Sequence, residues 1–157
     1  MRRYGGEDLE AVIRKAQTED FEGAFALVLE LREHFGNDEQ IDKEGVRAIF
    51  ERFLDHQDHY AYVAEAGGDI VGMMSMSVGV SLYEHRPYAV IDELIISSEF
   101  RGRGLGKRLL DEAFARAVER GCCEVCLDTK ATNEGALRFY RAYGFDREGI
   151  MLEKELE

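Results

Sequence analysis

Two stretches of this sequence hold residues whose types and spacing could do chemistry. The first is Tyr88-Ala89-Val90-Ile91-Asp92-Glu93-Leu94-Ile95-Ile96, an apolar run interrupted by two acids. A carboxyl held in apolar surroundings keeps its proton to higher pH, so it becomes a better base near neutrality. The run is rich in β-branched residues and short for a helix, which predicts a buried strand. Alternation along a strand puts Glu93 on one face with Ile91 and Ile95, and Asp92 on the other. Glu93 is therefore the candidate general base and Asp92 the weaker one. A carboxylate that only binds an ammonium, or pairs with an arginine, would also account for a buried acid.

The second stretch is Arg101-Gly102-Arg103-Gly104-Leu105-Gly106-Lys107-Arg108, with four cations and no acid. The chain as a whole has a formal net charge of −12, so this local reversal of sign carries information. Leu105, Leu109, Ala113 and Ala117 recur at helical spacing, so the turn opens an amphipathic helix. The first amides of a helix lack partners within it and sit at the positive end of its dipole. Glycines let backbone approach a ligand closely. A strand, a glycine-rich turn and a helix in that order suit an anion, above all a phosphate.

Two nucleotide signatures fail on spacing. A phosphate-binding loop of the Gly-x-x-x-x-Gly-Lys-Ser/Thr type needs a hydroxyl after the lysine, and Lys107 is followed by Arg108. A dinucleotide fingerprint needs Gly-x-Gly-x-x-Gly, and Gly102, Gly104 and Gly106 give Gly-x-Gly-x-Gly. The pattern present is Arg-x-x-Gly-x-Gly, as Arg101, Gly104 and Gly106. With the strand before it and Asn133-Glu134-Gly135-Ala136-Leu137-Arg138-Phe139-Tyr140-Arg141-Ala142-Tyr143-Gly144-Phe145 after it, the chain resembles the GNAT family of N-acetyltransferases. The resemblance covers roughly residues 10–156.

That resemblance implies acetyl-CoA as the acetyl-donor cosubstrate, with its pyrophosphate on the turn. The implied contacts are Arg101, Gly102, Arg103, Gly104, Leu105, Gly106 and Lys107, through backbone amides more than through the cationic side chains. It also implies that backbone groups of Leu94, Ile95 and Ile96 pair with the pantetheine arm, where the strands at 88–97 and 124–129 splay apart. Asn133 and Ala136 would border the same arm, although Asn133 is equally a helix N-cap. Tyr140 matches the family tyrosine that faces the CoA sulfur and would protonate the leaving thiolate. A core tyrosine with a satisfied hydroxyl is the plainer role for it. Tyr143 is expected to pack.

These residues need a scaffold. At 157 residues the chain is long enough for one domain with a substantial core, so a single acetyltransferase domain over 1–157 is expected. Leu9 to Lys15 alternates as a first strand. Thr18-Glu19-Asp20 caps a helix running to about Phe35, and a second helix fits Asp42 to Asp55. Strands follow at Tyr60–Ala66 and Ile70–Leu82 across a Gly67-Gly68-Asp69 turn. After a loop at 83–87 come the central strand and helix, a strand at Glu124–Thr129, a helix at Glu134–Tyr143, and a final strand near Ile150–Leu156. The expected fold is α/β, a mixed, mostly antiparallel sheet of six to seven strands with helices on both faces, in the order β-α-α-β-β-β-α-β-α-β. No repeat or linker breaks it.

The acidic balance argues against nucleic acid and anionic membranes as partners and favours approach of a cationic substrate. No run is long enough to span a bilayer, and no export signal is evident. With three cysteines, an odd count, a reducing cytoplasm is expected. Cys123-x-x-Cys126 lacks two further ligands at zinc spacing, and His56-x-x-His59 reads as a solvated turn, so no metal is expected. The loop residues His85, Arg86, Pro87 and Tyr88 are placed to border the acceptor pocket.

The leading expectation is an acetyl-CoA-dependent N-acetyltransferase acting on a primary amine of a small molecule by direct attack in a ternary complex. The arrangement around the Glu93 strand is loosely similar to that of aminoalkylphosphonate N-acetyltransferases and of small diamine members. A cationic amine or an aminophosphonate is thus the acceptor to test. A peptide or protein N-acetyltransferase, and a non-catalytic CoA-binding sensor module, stand as alternatives. Family members often pair, so a homodimer is the oligomer the resemblance implies.

Overall fold

A computed structural model describes residues 10–156. The chain divides into two compact units, one ending at Cys126 and one beginning at Leu127. The first contains β1 (Val12–Lys15), α1 (Phe21–His34), α2 (Lys43–Asp55), β2 (His59–Ala66), β3 (Asp69–Ser81), β4 (Arg86–Ile96) and α3 (Leu105–Glu119). β5 (Val125–Leu127) runs across the division, and α4 (Glu134–Ala142) belongs to the second unit. The sheet has five strands in the order β1-β2-β3-β4-β5, with β1/β2, β2/β3 and β3/β4 antiparallel.

Local chemistry explains the elements. Gly67 and Gly68, with φ of 58° and 84°, make the two-residue turn that joins β2 to β3 with matching twist. Asp42 caps α2 by accepting a hydrogen bond from the Glu44 amide at 3.1 Å. Asp20 is buried ahead of α1, where Arg14 grips both its oxygens at 2.7 and 2.8 Å and the Gln17 amide donates at 2.8 Å. The guanidinium holds the Asp20 carboxyl below the ordinary carboxylate range despite burial.

The sheet is covered on both faces. On one, Phe21, Ala24 and Leu27 of α1 and Phe50 of α2 pack on Ala61, Val63, Met73 and Ile95. On the other, Leu105 of α3 and Phe100 pack with Ala11, Ala64, Ala66 and Val71. Leu109, Leu110 and Ala113 of α3 are fully buried. Leu109→Ala is expected to lower unfolding stability by about 2–5 kcal/mol, the range for emptying a leucine site in a closed core. Urea unfolding followed by circular dichroism measures it, and a loss within about 0.5 kcal/mol would place Leu109 outside the core.

Three expectations are corrected. The six to seven strands are five, because no strand follows β5 among the described residues. Ile150, Met151, Leu152 and Leu156 are apolar, yet all stay exposed, so burial offsets none of the entropy lost on ordering them. The element order is therefore β-α-α-β-β-β-α-β-α. The strand at 124–129 shortens to Val125–Leu127, and Pro87 lies inside β4 rather than in the preceding loop. Leu9, the expected start of the first strand, lies outside the described residues.

Candidate active site

The site begins at an irregularity in β4. Ser75 pairs with Glu93, but the next residue of β3, Met76, pairs with Ile91. Asp92 is therefore an extra residue, a β-bulge, and bulges re-aim side chains. Before the bulge Ile91 lies opposite Met76; after it Glu93 and Ile95 lie opposite Ser75 and Met73, on the α1/α2 face. This corrects the simple alternation, which had grouped Glu93 with Ile91 and sent Asp92 to the far side. Both acids reach serines of the same β3 face. The Ser75 hydroxyl donates to Glu93 Oε2 in a short contact, and the Ser77 hydroxyl donates to Asp92 Oδ2 at 2.6 Å.

The two carboxyls differ in setting. Ser75 is buried, and its Oγ also accepts from the Glu93 backbone amide at 3.1 Å, so one hydroxyl fixes both backbone and side chain. Burial pushes the Glu93 carboxyl above its ordinary 4.5; the Ser75 hydrogen bond lowers it, and the nearby Asp92 charge adds to the rise. Desolvation dominates, as a base tuned toward neutrality requires. Asp92 is exposed.

Other residues share this face. Register places His59 opposite Ser77, so His59 opens β2 rather than sitting in a solvated turn. Its ring stacks on Phe53 of α2 at 4.6 Å, and its Nδ1 is buried with no hydrogen-bond partner among the described residues. Tyr88 lies opposite Gly79, where a Cβ would come within 2.9 Å of the Tyr88 ring and hydroxyl. His85 sits exposed at the β3–β4 turn with φ of 45°, a left-handed backbone in a residue that has a Cβ. Arg86, Pro87 and Tyr88 belong to β4 itself.

Ser75, Ser77 and His59 escaped the sequence. The available signal was a pair of small polar residues alternating with methionines in Met73-Met74-Ser75-Met76-Ser77, across from the only acids in the next strand.

The glycine-rich turn closes over the end of β4. Gly102 and Gly104 have φ of 75° and 77°, and a Cβ at either would meet nothing within 4 Å. Gly104 is the N-cap of α3, whose first residue Leu105 is 4% exposed and pins the helix to the sheet. Left-handed residues between right-handed ones turn successive amides into a concave donor surface. Two of the cations serve the turn itself. Arg101 Nε donates to the Ile96 carbonyl at 3.2 Å, and its Nη2 lies 3.5 Å from Glu30. Arg103 Nη2 donates to the Glu99 carbonyl at 3.4 Å, and its guanidinium sits 4.7 Å from the Phe100 ring centre. Lys107 is exposed and Gly106 half-buried in the first turn of α3.

Leu94, Ile95 and Ile96 pair with Met74, Met73 and Gly72 along one edge of β4. Hydrogen bonds to the following segment occur at the start of β4. There the Cys123 amide donates to the Pro87 carbonyl at 2.8 Å, and the Ala89 amide to the Glu124 carbonyl at 3.0 Å. Leu94 to Ile96 lie beyond those bonds, toward the glycine-rich turn.

In the second unit, Asn133 caps α4, its Oδ1 accepting from the Ala136 amide at 3.1 Å. Tyr140 sits between Phe139 and Phe145, edge to face at 5.3 and 5.6 Å. Burial pushes its phenol above the ordinary 10, so it stays protonated through neutral pH. Tyr143 packs on Phe139 at 4.8 Å. Cys122 and Cys123 are free thiols. Among the described residues no group of three or more potential ligands gathers, and no helix is long and apolar enough to cross a membrane.

Comparison with known proteins decides the family. Residues 8–145 match the acetyltransferase (GNAT) family. The chain belongs to that family. An aminoalkylphosphonate N-acetyltransferase from Salmonella typhimurium is 31% identical over 145 residues, 92% of this chain and 90% of that one. An uncharacterized N-acetyltransferase from Methanocaldococcus jannaschii is 28% identical over 88% of this chain, which spans 62% of that protein's length. Among solved structures, a transcriptional regulator from Bacillus halodurans C-125 shares 31% identity, with a TM-score of 0.76 over 92% of this chain and all of that one. An aminoglycoside N-acetyltransferase in complex with CoA gives a TM-score of 0.81 at 20% identity, covering 95% and 97% of the two chains, and so supports the fold alone. By family and by its relatives, this member of the GNAT family is an N-acetyltransferase.

Proposed function

We propose that this GNAT protein transfers an acetyl group from acetyl-CoA to a primary amine of a small molecule by direct attack in a ternary complex. The observation that carries the proposal is Glu93, a half-buried carboxylate raised by desolvation and held by Ser75 at a β-bulge. The amine nitrogen attacks the thioester carbonyl; a C–N bond forms and the C–S bond breaks. Glu93 takes the ammonium proton, directly or through water, and Tyr140 gives a proton to the departing thiolate. The relative named for aminoalkylphosphonates supports a small acceptor, and the free thiols of Cys122 and Cys123 suit a reducing cytoplasm. A CoA-binding sensor would keep the glycine-rich turn but gives the Glu93–Ser75 pair no task.

In this proposal the pyrophosphate of acetyl-CoA sits on the turn from Arg101 to Lys107, held mainly by amides around Gly102, Gly104 and Gly106, since Arg101 and Arg103 already have partners. The pantetheine arm pairs with Leu94 to Ile96 and passes Asn133 and Ala136. Substitution of Gly104 tests this. Asp and Asn tolerate a left-handed backbone about equally, so their difference reads charge at the helix N-terminus. Gly104→Asp is expected to weaken acetyl-CoA binding at least tenfold more than Gly104→Asn, by calorimetric titration. Equal affinities would remove the phosphate from this turn.

A further inference from the structure

We infer that Ser75 is a positioning residue whose hydroxyl engages Oε2 of Glu93 and so reserves Oε1 for the proton of the attacking amine. The inference rests on Glu93 as the base and goes beyond it, to the atom that takes the proton and the residue that selects that atom.

Two hydrogen bonds make the selection. A bulge disrupts the strand ladder locally. There the Glu93 amide donates to Ser75 Oγ at 3.1 Å, and the same hydroxyl donates to Glu93 Oε2. A serine hydroxyl has one proton to give and two lone pairs to accept with. That one proton is committed to Oε2. Among the described residues Oε1 has no hydrogen-bond partner. The buried side-chain atoms left unpaired among those residues are His59 Nδ1 and Arg116 Nε, so Oε1 is open rather than sealed.

The proton balance fits this division. The ammonium N–H bond breaks, an O–H bond forms at Oε1, and the freed nitrogen pair attacks the thioester. A proton on Oε1 leaves the Ser75 bond to Oε2 in place. A proton on Oε2 would face the serine proton. Ser75 is 5% exposed and has no second acceptor among the described residues, so turning its hydroxyl away would leave a buried donor unmatched.

Burial is what makes this bond matter. Ser77 donates to Asp92 at 2.6 Å, but Asp92 is exposed, and water can take the place of that serine. At Glu93, burial raises the carboxyl, the Ser75 bond lowers it, and the charge of Asp92 on the same strand raises it. Titratable groups on the other elements are occupied elsewhere or exposed. Lys43 and Arg47 pair with Glu22, Glu30 accepts from the Ser98 amide, Arg52 is exposed, and His59 stacks on Phe53. Without the Ser75 donor, Glu93 would hold its proton further toward neutrality and stand idle as a base there.

The test titrates the Glu93 carboxyl by carbon-13 NMR in wild type, Ser75→Ala and Ser75→Thr, with the resonance assigned by its loss in Glu93→Gln. In Ser75→Ala the midpoint is expected to move up, and in Ser75→Thr, which keeps a hydroxyl, to return toward wild type. An unmoved midpoint in Ser75→Ala overturns the inference. Turnover is followed in parallel with acetyl-CoA and either butylamine or aminoethylphosphonate, whichever reacts faster. Ser75→Ala is expected to lose at least tenfold in kcat/KM at pH 7, the range for a lost hydrogen bond to a charged group, and to recover at higher pH as Glu93 ionises. A loss equal at every pH marks a merely structural role and overturns the inference. If Ser75→Ala folds poorly, Ser75→Thr against Ser75→Val gives the same comparison at equal size. Wild-type turnover in Glu93→Gln overturns the underlying base assignment instead, whatever the Ser75 variants do.

Discussion

Glu93→Gln is expected to lower kcat at neutral pH by about a hundred- to ten-thousand-fold, the range for removing a general base. Gln can still accept from Ser75, so the bulge and its hydrogen bond persist while the proton acceptor is lost. The pH profile makes the prediction specific. Glu93 must be ionised to act, and burial raises its pKa, so wild-type kcat/KM should rise with pH through a limb above the ordinary 4.5. That limb should vanish in Glu93→Gln. Stability should move the other way. A carboxyl with a raised folded-state pKa supports the fold below its unfolded value, and that support is lost as pH climbs through the folded value. Glu93→Gln should therefore unfold at a higher temperature than wild type at neutral pH, with the difference fading in acid. Lower activity with higher stability is expected of a strained functional group. Wild-type kcat in Glu93→Gln would remove it as the base.

Tyr140→Phe is expected to lower kcat by about ten- to a thousand-fold, as for a lost acid catalyst, with acetyl-CoA affinity nearly unchanged. The ring contacts with Phe139 and Phe145 survive the substitution, and only the hydroxyl leaves. The buried phenol holds its proton above pH 10, so the acid form is fully present at neutral pH. Presteady-state kinetics with isolated chemistry, alongside calorimetric binding of acetyl-CoA, separate the two effects. An unchanged kcat would leave Tyr140 as a packing residue of α4.

Much of this was legible before any coordinates. The glycine-rich turn announced itself by charge reversal and by helical leucine spacing, and both are local signals. The Gly67-Gly68 turn and the helix from Asp42 to Asp55 were legible for the same reason. The face occupied by Asp92 was not. Alternation is a rule for unbroken strands, and a bulge is set by pairing with a second strand, here through Ser75 and Ser77. His59 looked like part of a polar turn because its burial comes from Phe53, on an element several residues away. The expected last strand failed differently. Its apolar residues are real, but Ile150 and Leu152 remain exposed, and apolar content without burial does not make a strand.

The most direct test of the central claim is acetyl-CoA-dependent release of CoA thiol across a panel of diamines, monoamines, aminophosphonates, amino sugars and short peptides. Glu93→Gln is assayed in parallel. The account predicts turnover concentrated on small primary amines, abolished in Glu93→Gln. Turnover confined to peptides would contradict a small-molecule acceptor. Acetyl-CoA binding without release of thiol from any amine would contradict catalysis at Glu93.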